Sequence, residues 1–288
     1  MRKVLYYSIP VLALLIMLNP TVNRFVYGHT FSGDESASFL TKIEMIKIES
    51  KLALEQVSNN TALAKEHADH AADQLTSNDT EEISERNSRL AADLNNAVNN
   101  FSNAFESGTP SQTEISDKVT SINDIIADVV NSRIDEEQQE NATVKALVVN
   151  DLVGETLENY GIALGMENGE HESEHNENMT SSEHSTDNSS NQSSNILDEA
   201  SFQTSQATIT RVIENFDEIK EDSDTNSTEL GDSLIAVKEK IDSKAPFDEI
   251  DTIVDGKITS LLNNVYDLNL SEEEHVEGEE EHVEEDNS

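Results

Sequence analysis

ISERNSRLAADLNNAVNNFSNAF, residues 83–105, is the stretch from which the fold is read. Within it Ile83, Leu90, Leu94, Ala97, Phe101 and Phe105 recur at intervals of three, four or seven residues. A helix turns once per about 3.6 residues, so this spacing predicts one continuous amphipathic helix of roughly six turns. Gly108 and Pro110 end it.

The same period runs through the rest of the chain. Upstream, Ser32 and Glu35 have the spacing of a capping box, and Phe39, Ile43, Ile46, Ala53 and Val57 mark one buried stripe on a helix that Asn59-Asn60 closes. Thr61 opens a short Ala-rich helix. Downstream, Ser111 and Glu114 repeat the capping spacing ahead of Ile115, Val119, Ile122, Ile126 and Val129. A fifth helix carries Val144, Leu147, Val148, Leu152 and Leu157, and a sixth Phe202, Ile209, Val212, Phe216 and Ile219. Leu230, Leu234, Val237 and Ile241 mark the seventh. Pro246 begins the eighth, with Phe247, Ile250, Val254, Leu261, Val265 and Leu268 on one face.

The expected fold is therefore all-α, with about eight amphipathic helices in antiparallel bundles. They group as two four-helix units, residues 29–135 in the first and 141–165 with 196–270 in the second. One extended array with a shared core fits the pattern equally. Between the fifth and sixth helices, residues 166–195 hold seven carboxylates and three histidines but no Lys, Arg or aromatic residue. So little burial cannot offset the entropy of ordering, and the segment is expected to be a disordered linker. The tail, residues 271–288, is expected to be disordered for the same reason.

The formal charge is −41, and setting aside the seven acids of the linker and the ten of the tail leaves −24. Phosphates would be repelled over the whole surface, which excludes nucleic acid as a partner and leaves solvation or cation attraction as uses of the acidity. With no cysteine, thiol nucleophiles, thiolate zinc sites, iron–sulfur clusters and disulfides are excluded. GxSxG, HExxH, P-loop and dinucleotide patterns are absent, and nothing pairs two carboxylates as acid and base, so no enzyme is expected.

Arg2 and Lys3 precede an apolar run from Val4 to Leu18 that Asn19-Pro20 breaks. Fifteen helical residues span about 22 Å, short of a roughly 30 Å hydrocarbon layer, which is the length of a signal peptide. Residues 1–28 then form either a leader cut after Gly28 or an uncleaved membrane anchor. Both readings put the N-terminal segment in contact with a membrane. Both place the protein outside the cytoplasm, secreted or held at the outer face of the cytoplasmic membrane. Nine N-x-Ser/Thr sequons agree with an outward-facing, glycosylated chain.

Histidines carry the candidate chemistry. Glu66, His67 and His70 lie together on the second helix, and residues three apart share a face, so both imidazoles point one way. Imidazole with carboxylate suits copper, zinc or iron, with a third ligand required from another helix. The competing reading is polar residues at the edge of an Ala-rich face. The linker's His171, His175 and His184, and the tail's EEEHVE unit, repeated at His275 and His282, are candidates for loose chelation of divalent metal. Equally, they are histidines incidental to a solvated acidic brush. Cleavage after Gly28 would leave His29 as the first residue, with an amine and an imidazole to hold copper.

Two stretches, NNTALAKEHADHAADQL (residues 59–75) and VKEKIDSKAPFDEIDTIVDGKITSLLNNVYDL (residues 237–268), resemble the extracytoplasmic helical domains found with high-affinity iron permeases and imelysin-like proteins. The permease's membrane helices and REXXE-type motif are absent. The resemblance implies a soluble helical partner or remnant without transport activity, and carries over no functional residue. The reading is a non-catalytic exported or membrane-anchored helical binding protein that handles divalent metal ions at the cell surface; its rival is a structural or interaction protein of the cell envelope whose acidity serves solvation.

Overall fold

A computed structural model describes residues 30–106, 108–166, 194–221 and 227–268. The leader (1–28), residues 167–193 of the linker and the tail (271–288) lie outside the described residues.

Side-chain caps set most of the helix starts. Ser32 and Glu35 close the capping box at the head of α1 (Gly33–Gln56): the Glu35 N–H donates to Ser32 Oγ at 3.3 Å and the Ser32 N–H to Glu35 Oε2 at 2.7 Å. Asn60 caps α2 (Thr61–Asp73). Thr76 and Asp79 form a second box at the head of α3 (Ser77–Ser102). Ser111 caps α4 (Gln112–Arg133), Asn141 caps α6 (Ala142–Ala163), and the single turn α5 (Glu136–Gln139) lies between them. Asp198 caps α7 (Glu199–Ile219), and α8 (Thr228–Asp242) follows. The last expected helix is α9 (Phe247–Ile253) and α10 (Thr259–Tyr266), joined by one widened turn at Val254–Ile258. The chain is all-α, with no strand among the described residues. No helix of the described residues is long and apolar enough to cross a membrane.

Two expectations are corrected. Residues 83–105 are not one helix, because Asn87 is extended (φ −154°, ψ 91°). Its side chain accepts the Leu90 N–H at 3.2 Å and restarts the helix as a cap would. Beyond the break Ala91, Leu94, Val98 and Phe101 are buried, whereas Leu90 and Ala97 sit at the margin. The second correction concerns α1, which has two buried stripes where one was expected.

The expected stripe, Phe39, Ile43, Ile46, Ala53 and Val57, packs with α2, α3 and α4 in one core. The second, Ala37, Met45, Ile48 and Leu52, packs with α6, α7, α8 and the α9–α10 segment in another. A helix apolar on opposite sides is buried between layers rather than laid on one, and α1 joins the two cores. The chain just before it is also held: Phe31 is buried and lies under the guanidinium of Arg133, 3.4 Å from ring centre to Cζ. Arg133 is itself fully buried and bonded to Glu82 at 2.7 Å.

Because one helix serves both cores, damage to either face of α1 should unfold both. Met45→Ala and Ile46→Ala should each cost about 2–5 kcal/mol. Urea unfolding followed by helical circular dichroism and by tyrosine fluorescence should show one coincident transition for each variant. Two separated transitions would show that the halves unfold independently.

Candidate metal centre

Small residues bring α2 against α1. Ala64, Ala68 and Ala71 are fully buried, and with no side chain beyond Cβ they let the helix axes approach. His67 lies on that same face, three residues from Ala64 and four from Ala71, so close packing carries its ring into the seam, where it is fully buried. Opposite it on α1 is Glu49, 1% exposed.

Glu49 is the hub. Its Oε2 is 2.7 Å from His67 Nδ1, and its Oε1 accepts the Thr204 hydroxyl of α7 at 2.7 Å. His70 Nδ1 stands 3.7 Å from the same Oε1. His67 Nε2 faces Gln203 Oε1 at 3.3 Å. The Gln203 amide is oriented by Gln56, which donates to its Oε1 at 2.9 Å, and by its own Nε2, which donates to Glu199 at 3.1 Å. Helices α1, α2 and α7 thus meet on one carboxylate and one imidazole.

Glu49, His67 and His70 form a group that could hold a metal ion, with one ligand atom from each and all of these within 4.8 Å of one another. His70 is only half-buried. It lines, with Glu49, a cavity of about 390 Å³ whose other walls include Glu155 and Glu158 of α6, Asp73 and Asp198. A larger groove, about 1030 Å³, runs along α1, α4, α7 and α8. Its Lys47, Arg211 and Lys238 are paired with Glu44 and Asp242, so it gathers no comparable set of free donors.

The electrostatics follow from burial opposed by partners. Burial alone would raise the Glu49 carboxyl, but His67, His70 and the Thr204 hydroxyl outweigh it and leave the pKa below the ordinary 4.5. The Glu49 carboxylate raises His70 above 6.5 against the opposing effect of burial, helped by the charges of Glu66 and Asp198. Glu155 is pushed up to about 7, first by burial and then by the charges of Glu158, Asp151 and Glu49.

Of the sequence candidates, the structure brings His67 and His70 together. Glu66 is exposed and is not part of the group; the carboxylate that joins the two rings is Glu49. His29, His171, His175, His184, His275 and His282 lie outside the described residues. Glu49, Gln203, Thr204 and Glu155 were not foreseen. A signal for Glu49 was present: it falls three residues after Ile46 and four before Ala53, the step at which the α1 stripe lacks an apolar residue.

No family model, no curated protein and no solved structure matches the chain.

The two titrating groups act on stability in opposite senses. The contribution of Glu49, with its lowered pKa, is present above pH 4.5 and is lost as pH falls through the folded value. That of His70, with its raised pKa, is full below pH 6.5 and is lost as pH rises through the folded value. In chelator-treated protein, the Tm difference between the parent and His70→Ala should be widest between these limits and should close above pH 6.5. A difference constant across neutral pH would show that His70 contributes by packing alone.

Proposed function

We propose that this chain is an exported, non-catalytic helical protein that binds one divalent transition-metal ion where Glu49, His67 and His70 converge. The observation that carries the reading is that Glu49 and His70, from two helices, bring a carboxylate and an imidazole to the wall of one cavity, with His67 beside them and one ligand atom of each of the three within 4.8 Å of the others. Nitrogen and carboxylate donors suit zinc, copper or ferrous iron better than magnesium or calcium. The surrounding charge points the same way, since a chain at −41 attracts cations to its surface. The N-terminal pattern supports a place outside the cytoplasm, secreted or held at the outer face of the membrane. On this reading the linker and tail histidines collect ions loosely.

One observation favours the rival, an envelope interaction protein in which this cluster only staples helices together. Glu49 and His67 are already satisfied by protein groups, namely each other, Thr204 and Gln203.

Equilibrium dialysis separates the two. The full chain is prepared with Ala at the six histidines outside the described residues, so that binding reports on this centre alone. At about micromolar free zinc, copper or ferrous ion it should retain one equivalent of at least one of these metals. That metal should raise Tm, since a ligand at 100 times its Kd stabilises the folded state by about 2.7 kcal/mol. Glu49→Gln with His70→Ala should abolish both effects. Less than one equivalent for all three metals removes the metal reading and leaves the staple.

A further inference from the structure

The three residues of the centre are not equivalent, and the cavity beside it separates them. His67 is fully buried and does not line that cavity, whereas Glu49 and His70 do. Both His67 nitrogens face oxygens, those of Glu49 and Gln203. Rotating the ring toward an ion would break both contacts, and full burial gives no open side from which an ion can approach.

The spacings agree. Two donors each about 2.1 Å from one ion subtend roughly 110° when the site is tetrahedral. At that radius the 2.7 Å between His67 Nδ1 and Glu49 Oε2 corresponds to about 80°. The 3.7 Å between His70 Nδ1 and Glu49 Oε1 corresponds to about 120°. The first gap is closed by a proton; the second has the width to span an ion.

Across the cavity is Glu155, half-buried at the middle of α6. Its carboxylate has no hydrogen bond or ion pair among the described residues, and Lys42 lowers its pKa less than burial and the neighbouring acids raise it. A carboxylate partly withdrawn from water beside other carboxylates either takes up a proton or is accompanied by a cation, and a cation that binds there displaces the proton. Glu155 does not belong to the compact group of three but lines the same cavity, so to share an ion with Glu49 and His70 it would have to turn about its side-chain torsions into that space.

We infer that the protein ligands of the ion are Glu49, His70 and Glu155, gathered in the cavity between α1, α2, α6 and α7, and that His67 is a positioning residue that holds Glu49 without touching the metal. This rests on the metal reading above and names its ligand set. One imidazole, two carboxylates and positions left to solvent describe an exchangeable ion rather than one locked into the fold, since structural zinc sites use four protein donors.

The test uses the same full chain with Ala at the six outlying histidines, loaded with one equivalent of copper(II) or zinc. Electron spin-echo spectroscopy of the copper form, which counts coordinated imidazoles, should find one. Zinc affinity should fall at least tenfold in His70→Ala and in Glu155→Gln. It should fall less than threefold in His67→Gln, whose amide can still donate to Glu49. Circular dichroism confirms that each variant is folded, and the imidazole count needs no variant. A count of two, or a loss in His67→Gln equal to that in His70→Ala, overturns the ligand set while leaving the metal reading standing. Absence of any bound ion in the parent overturns both.

Discussion

Glu49 is a carboxylate held out of water in the middle of a helix that is buried on two sides, and the arrangement around it has to compensate. A buried charge is tolerated when it is paired and its remaining lone pairs are met. Here His67 meets one oxygen and Thr204 the other. These partners come from α2 and α7, elements separated by more than a hundred residues, so the need of one group fixes how three helices meet. Removing one partner leaves the others buried and unsatisfied, which is why such networks specify an arrangement even where they add little net stability.

The burial of Glu49 follows from the position of α1. The helix supplies Ile43 and Ile46 to one core and Met45 and Ile48 to the other. Between those stripes a residue faces a neighbouring helix whether or not it is apolar. The seam at α2 is narrow because its contacts are alanines, and in so close an approach the larger group on either side must find a partner. His67 and Glu49 are the larger groups, and they find each other. Elsewhere among the described residues some acids lie in i,i+3 and i,i+4 pairs such as Lys65 with Asp69 and Lys238 with Asp242, which are worth little individually.

The helices were legible because the signals that start, line and end them are local. Caps such as Ser32 with Glu35 and apolar intervals such as those of α4 lie within a few residues of each other. The break at Asn87 was hidden because an asparagine on a polar face is ordinary, and its capping role shows only in the backbone. The second stripe of α1 was hidden for a related reason: apolar residues on opposite sides weaken the single-face pattern that periodicity seeks. At the site, His67 and His70 were legible through their spacing. The choice of Glu49 over Glu66 was not, because both are glutamates near those histidines in space or sequence, and only the packing of α1 on α2 decides which faces the rings.

If the centre holds an ion, its placement has a consequence beyond affinity. An ion held only within α2 would leave the relation of the two cores untouched. One held by Glu49, His70 and Glu155 would touch α1, α2 and α6, and so join the core built on α2–α4 to the core built on α6–α10. Binding energy at such a point is also folding energy, because the separated or unfolded segments do not present the set. On that reading the acid-lined cavity has a physical rationale, since carboxylates that oppose one another would together attract a cation. Metal affinity and the stability of the junction would then be coupled, and a change that loosens α2 against α1 would weaken both even with every ligand retained.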